Sequence, residues 1–388
     1  MQKNIQMKIL SLSYKDKALK WSLEQADFDK LTLLVGASGV GKTQILKSIM
    51  RLKSVADGKS ISGIKWDINF VTLDGKTYEW EGEFENKGDL DFSDDEDDDI
   101  KRNKPSIINE QLKVNSKIVV SRDKESIIFN GSSTVKLPNQ QSVLYLLKEE
   151  DLIKPAFDGF NKIIYSDQTD STREAFRIKF SDTQKLLKKH KTLESIRESA
   201  EDIRIKLFLS YKNSFKTFQQ IRDRYIDIFP QVEDIKVEPL DYEDEVDLPF
   251  FFKEYPFIQI KERGVEKWIK QEYISSGMFR SLIHISEIYL CSEGSVFLID
   301  EFENSLGINC INELTSDILA SKRQTQFILT SHHPYIINNI GFSNWKLVTR
   351  TKGVVKTHNP YEYNIGKSKH DAFMQLIQLE QYQTGAEI

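Results

Sequence analysis

Two short stretches of this chain carry the residue types that phosphate chemistry needs. Val35-Gly36-Ala37-Ser38-Gly39-Val40-Gly41-Lys42-Thr43 follows the apolar run Leu31-Thr32-Leu33-Leu34 and fits the phosphate-loop pattern G-x-x-x-x-G-K-[ST]. Its glycines let successive backbone N–H groups curl around phosphate oxygens, and the helix that follows adds a favourable dipole. In that arrangement Gly36, Ala37, Ser38, Gly39, Val40 and Gly41 would cradle the phosphates of a nucleotide. Lys42 then reaches the β- and γ-phosphates, and Thr43 offers its hydroxyl to a nucleotide-bound Mg2+. The second stretch, Val296-Phe297-Leu298-Ile299-Asp300-Glu301, places two carboxylates at the end of a buried apolar run. Asp300 would contact Mg2+ through water, and Glu301 would polarise the water that attacks the γ-phosphate. A solvated acidic strand end is the simpler reading of this pair, and the phosphate loop upstream weighs against it.

Two further stretches are less specific. Ile274-Ser275-Ser276-Gly277-Met278 precedes a helical pattern, and Thr330-Ser331-His332-His333-Pro334 follows a strand pattern. Taken alone, Ser-Ser-Gly reads as a helix N-cap and a histidine after a strand as structural.

The elements that must position these residues can be read from periodicity. Strands are expected around Lys8 to Ser13 and Leu31 to Val35, and a helix from the phosphate loop through Leu46 and Ile49. Ile64 to Leu73 and Lys76 to Glu85 flank Asp74-Gly75, a type I′ hairpin signal. Asp89 to Asp99 is an acidic run best read as a solvated loop. Lys117 to Ser121 and Ser126 to Asn130 are further strand candidates, and a short helix follows Ser142. From Ser181 to Phe229 the pattern becomes that of long charged helices. Phe208, Tyr211, Phe215, Phe218, Ile221, Tyr225 and Ile228 recur there at steps of three or four, an apolar stripe for packing within the chain. After the acidic stretch Asp241 to Asp247, a hairpin turns at Glu262-Arg263-Gly264, and a helix spans Gly277 to Cys291. Val296 to Ile299, a helix around Cys310 to Ala320, and Phe327 to Leu329 give the strand, helix, strand order of a parallel sheet.

Composition limits the class. The chain has 388 residues, 39% apolar, with 23 Phe, enough for about two or three structural units with buried cores. Its 54 basic and 59 acidic residues leave a net charge of -5, which argues against a surface devoted wholly to nucleic acid. Cys291 and Cys310 are not in C-x-x-C spacing, so no disulfide framework or zinc site is expected. The N-terminal MQKNIQMKIL lacks an apolar signal core, and no apolar run approaches the ~18 residues of a membrane span. A cytoplasmic protein without membrane contact is expected.

The order of the motifs is informative where each alone is weak: phosphate loop, inserted domain, S-S-G helix start, D-E strand, E-N-S-L loop, T-S-H strand end. In that order the chain resembles the ATP-binding-cassette (ABC) superfamily, in particular SMC-like and RecF-like heads and the related AAA-type, OLD-like ATPases of bacterial anti-phage systems of the PARIS, retron and Septu kinds. The resemblance covers Met7 to Leu52 and Tyr273 to Arg350. It implies an α/β fold, an ABC-type P-loop NTPase head with a mixed sheet flanked by helices, an antiparallel β-subdomain and a short helical arm insertion. Residues 1–150 would form an N-terminal lobe, 151–235 the arm, and 236–388 a C-terminal lobe. By the same resemblance Ser275 and Gly277 match the signature motif, which touches the γ-phosphate of a nucleotide bound to the other subunit. Asn304 and Ser305 match the D-loop, and His332, in preference to His333, matches the switch histidine at the γ-phosphate. Gln140 and Gln141 are the candidates for the Q-loop. Such heads more often carry an Asn in the phosphate loop and end it in Ser, and Gly307 replaces a His that often follows E-N-S-L.

In the folds it resembles the signature motif cannot reach the phosphate loop of its own chain, so the resemblance implies a head-to-tail homodimer or higher homo-oligomer with ATP and Mg2+ buried between subunits. The helical insertion lacks the long heptad array of a DNA-loop machine and has no C-x-x-C hook. The residues after Arg350, Thr351 to Ile388, are too few for a Toprim nuclease. The reading this favours is an ATPase, converting ATP and water to ADP and phosphate, that senses a signal and controls a separate nuclease or toxin effector in prokaryotic anti-phage defence. The alternative is a repair or recombination ATPase, RecF- or SMC-like, that binds DNA directly. Lys185 to Lys191 (KLLKKHK) is the candidate contact for it, although such a run is ordinarily a solvated helix face. An ABC transporter subunit is disfavoured by the absence of L-S-G-G-Q and by D-E-F in place of D-E-P, and a GTPase by the absence of N-K-x-D.

Overall fold

In the computed structural model the Leu31–Val35 strand leads into the phosphate loop and the Lys42–Ala56 helix leads out of it. The described residues are 7–87, 104–166, 180–213, 215–238, 256–304, 306, 308–320, 324–366 and 369–386. The acidic runs Asp89 to Asp99 and Asp241 to Asp247 lie outside them. Contacts divide the chain into two units, one of Met1–Ser166, Gly294–Phe302 and Lys322–Ile388, the other of Asp167–Glu293 and Glu303–Ser321. The segment 151–235 is thereby shared between them.

Among the described residues the first unit holds a 14-stranded sheet. One side is parallel, in the order Ile163–Ser166, Val296–Ile299, Gln326–Thr330, Leu31–Val35, Trp345–Thr351. Val296–Ile299 and Gln326–Thr330 are buried at every residue, as strands covered on both faces must be. Beyond Val354–His358 and Trp21–Asp27 the sheet becomes an antiparallel run through Lys8–Asp16, Ile64–Val71, Thr77–Phe84, Ile107–Val114, Lys117–Arg122, Ile127–Phe129 and Ser132–Ser133. Ile64–Val71 alternates buried with more exposed residues, and its inward face builds an aromatic core. There Trp66 meets Trp80 edge-on at 5.1 Å, and Phe70 stacks on Tyr78 at 5.3 Å. This is an α/β fold of mixed sheet and flanking helices, with the glycine loop between strand and helix that defines a P-loop ATPase.

A buried ion pair locks this antiparallel region. Arg122 lies 3.5 Å from Glu110, whose carboxylate also accepts from Trp80 Nε1 at 2.8 Å and Val143 N at 2.9 Å. Burial pushes the Glu110 carboxyl up to about 7, and the three donors oppose that rise.

Several elements differ from expectation. Trp21–Asp27, Ile107–Val114, Ile163–Ser166, Trp345–Thr351 and Val354–His358 are strands that periodicity does not announce. The turn at Asp74-Gly75 is not type I′: Gly75 has φ 82°, and Asp74 is not among the residues of positive φ. Gly75 N donates to Thr72 O and Thr72 N to Lys76 O, giving a type I turn closed by a glycine bulge, one residue longer than expected.

The second unit contains a three-stranded sheet, Val232–Glu238, Phe257–Glu262 and Ile269–Lys270. The expected long helices are four short ones, Phe180–Lys189, Leu193–Arg197, Ile203–Lys212 and Lys216–Ile228. Asn213 ends the third, so the aromatic stripe is split across two helices. It packs within the unit, with Phe208, Phe218, Ile221, Tyr225 and Ile228 buried. The Lys216–Ile228 helix is tied to Ile308–Ala320 through Arg224, 2.7 Å from Glu313 and 2.9 Å from Asp317.

Candidate functional site

Parallel strands deliver their C-terminal ends to one edge of a sheet, the usual location of ligand sites in α/β folds. Here the register puts Ser166 beside Ile299, Ile299 beside Leu329, Thr330 beside Leu34, and Val35 beside Leu347. The residues that follow, Gly36 to Thr43, Asp300-Glu301 and Ser331-His332, therefore leave the sheet along the same edge, all within the first unit.

Gly36, Gly39 and Gly41 have φ of 147°, 80° and 110°, conformations open to glycine and strained for other residues. A side chain at Gly36 would stand 2.6 Å from Val348 O, whereas one at Gly39 would meet nothing within 4 Å. The loop is thus packed on its strand side and open at its tip. Lys42 is buried and folds back, its Nζ donating to Gly36 O at 2.8 Å and Ala37 O at 2.7 Å. Gly41 caps the Lys42–Ala56 helix without a side-chain bond, and no acidic residue occupies the first turn. The positive end of the helix dipole is left for an anion.

The carboxylate stretch meets this loop directly. Thr43 Oγ1 donates to Asp300 Oδ1 at 3.1 Å, so the hydroxyl and carboxylate proposed for the metal converge. Thr330 was not singled out by the sequence, and it organises both acids. Its Oγ1 donates to the same Asp300 oxygen at 2.6 Å and accepts from Glu301 N at 2.7 Å, while its carbonyl accepts from Phe302 N at 3.0 Å. Glu301 has φ 44° and an exposed side chain. That left-handed backbone costs about 1–2 kcal/mol in a residue with a Cβ, and the two bonds to Thr330 hold it in place. The available signal was a hydroxyl residue directly after the apolar buried run Phe327-Ile328-Leu329. Thr330→Val, which keeps the shape, removes the hydroxyl that accepts from Glu301 N and donates to Asp300, at a cost of about 1–3 kcal/mol. We expect it to raise the Mg2+ concentration needed for half-maximal ATP turnover several-fold, measured by metal titration.

The two histidines separate clearly. His333 caps the Pro334–Asn339 helix, its Nδ1 accepting from Tyr335 N at 3.2 Å, and its own N–H donates to Ser331 Oγ. His332 is exposed.

Gln140 and Gln141 do not join this edge. The next residue, Ser142, donates to Val55 O at 2.8 Å, near the far end of the Lys42–Ala56 helix. At 1.5 Å per residue that is about 20 Å from Lys42. The loop they occupy serves the buried ion pair instead, with Arg122 Nη1 donating to Gln141 O.

Ser275, Gly277 and Asn304 belong to the second unit. Ser275 is the N-cap of the Ser276–Leu290 helix, with Met278 N donating to its Oγ at 3.3 Å. In the same unit Arg280 Nη1 donates to Asn304 O. Ser305 and Gly307 lie outside the described residues.

A family model described as "AAA domain, putative AbiEii toxin, Type IV TA system" matches residues 31–338, most of the chain. The chain belongs to this AAA family. The matched region of the AAA protein contains the phosphate loop, Asp300-Glu301, Thr330 and His332, and P-loop ATPases generally use ATP with Mg2+. No curated protein matches it. Among solved structures it is similar to the SMC head bound to the C-terminal winged-helix domain of ScpA, at 16% identity and TM-score 0.47, covering 90% of this chain and 96% of that one. It is also similar to the SMC head of Pyrococcus furiosus with an extended coiled coil, bound to the C-terminal domain of ScpA (13%, TM-score 0.44, covering 91% and 96%). A third is the SMC head of Thermotoga maritima (12%, TM-score 0.42, covering 91% and 98%). Among the described residues no helix is long and apolar enough to cross a membrane.

Proposed function

We propose that this AAA protein binds ATP with Mg2+, hydrolyses it, and uses the nucleotide to join two copies head to tail. Closure of that pair then controls a separate effector, a nuclease or toxin, in prokaryotic anti-phage defence. The observation that carries the reading is the convergence of the Lys42 loop, the Thr43–Asp300 pair and Glu301 on one sheet edge.

In this reading the N–H groups of Gly36 to Gly41 take the phosphate oxygens. Lys42 exchanges its two carbonyl partners for the β- and γ-phosphates, and Thr43 and Asp300 hold the Mg2+, which would neutralise phosphate charge. Glu301 accepts the proton of the attacking water, and His332 contacts the γ-phosphate. Ser275 and Gly277 of one copy complete the site of the other, with Asn304 and Ser305 beside them. The family's description names a putative toxin of a type IV toxin–antitoxin system; the separate effector comes from the resemblance to anti-phage ATPases and not from that wording.

Light scattering of the purified protein with and without MgATP tests the assembly. A mass that doubles with MgATP and returns to one chain with ADP is expected. MgATP binding without any change of mass would remove the composite site, and no MgATP binding would remove the whole reading.

A further inference from the structure

The phosphate loop is packed from a direction that the proposed chemistry does not use. Within the first unit, the Glu380–Thr384 helix ends at Gly385 in a left-handed conformation, φ 74°. Gly385 O accepts from Arg350 N at 2.7 Å, on the Trp345–Thr351 strand that pairs with the strand feeding the loop. A Cβ on Gly385 would fall well inside contact distance of Val40 Cγ1 and 3.2 Å from Ala37 Cβ. The Arg350 side chain adds a long hydrogen bond, Nη1 to Gly39 O at 3.5 Å. Side chains at Gly36 and Gly41 would likewise run into Val348 O and Val355 Cγ2.

A loop with three glycines at positive φ has little conformational preference of its own. It holds its curl through Lys42 and through what packs against it. We infer that the Glu380–Gly385 segment braces the phosphate loop, and that Gly385 and Arg350 are positioning residues for the nucleotide, acting through Ala37, Gly39 and Val40. The inference rests on the nucleotide reading of this site. Glycine is required at 385 for two reasons: the backbone is left-handed, and the approach to Val40 leaves no room for a side chain.

Two measurements on the full chain test it. In Gly385→Val, affinity for a fluorescent MgATP analogue should fall at least about tenfold, and amides 36–43 of the nucleotide-free protein should exchange hydrogen faster. Gly366→Ala is the control. It also replaces a glycine of positive φ, against the Phe342 ring at 2.9 Å, in the same unit but not on the loop. It should leave both readouts unchanged at a similar loss of thermal stability. Arg350→Ala, on an exposed side chain, keeps the test open if Gly385→Val does not fold. It should weaken the nucleotide about threefold, with partial recovery in Arg350→Lys. Wild-type affinity and wild-type exchange in both Gly385→Val and Arg350→Ala would overturn the brace. If the wild-type protein binds no MgATP, the nucleotide reading fails, and loop exchange still decides whether the segment braces it.

Discussion

Glu301→Gln is expected to lower ATP turnover at least about a hundredfold, with MgATP still bound and the two-chain form accumulating. The substitution keeps size and removes the proton acceptor. The geometry should survive, because the bonds that fix this position run through the backbone, Glu301 N to Thr330 Oγ1 and Phe302 N to Thr330 O. Phosphate release measured beside light scattering separates the outcomes. Unchanged turnover would take Glu301 out of the chemistry. Loss of binding together with turnover would make it a structural residue.

The second large effect concerns Lys42→Ala. The Nζ is held by Gly36 O and Ala37 O, so the alanine variant loses both the tie that curls the loop and the cation that would meet the phosphates. A hydrogen bond to a charged group contributes about 1.5–3 kcal/mol, so one lost phosphate contact corresponds to roughly a ten- to hundredfold weaker MgATP complex. Calorimetric titration should show at least that loss, and Lys42→Arg should restore only part of it, because a planar guanidinium does not replace the compact point charge of an ammonium. Full affinity in Lys42→Ala would leave the loop without its assigned ligand.

What could be read from the residues, and what could not, follows from the range of the interactions. The phosphate loop and the Asp300-Glu301 strand end were legible because their meaning is local: a strand, glycines at fixed spacing, an apolar run ended by acids. The Ile163–Ser166 strand was not, since four residues carry no period and this strand exists because Val296–Ile299 offers it an edge. Thr330 was missed for a similar reason. Its hydroxyl matters through the register that brings Thr330 beside Leu34 and aims it at Asp300. Gln140 and Gln141 were misplaced because the sequence gives their distance from the loop in residues, and not the course of the helix between. The single stripe from Phe208 to Ile228 hid a break because its spacing of three and four continues through Asn213, where the chain turns.

The Lys42–Ala56 helix has one more property. At its far end Ser142 Oγ donates to Val55 O and Lys53 Nζ donates to Ile163 O, both within 2.8 Å. A 15-residue helix pinned there behaves as a stiff rod about 22 Å long. A tilt of about 5° at the pinned end moves the phosphate-loop end by roughly 2 Å, a simple consequence of that length. A displacement around Ser142 would reach Lys42 along this rod, and the buried packing of Ile45, Leu46, Ile49 and Leu52 is what resists such a tilt.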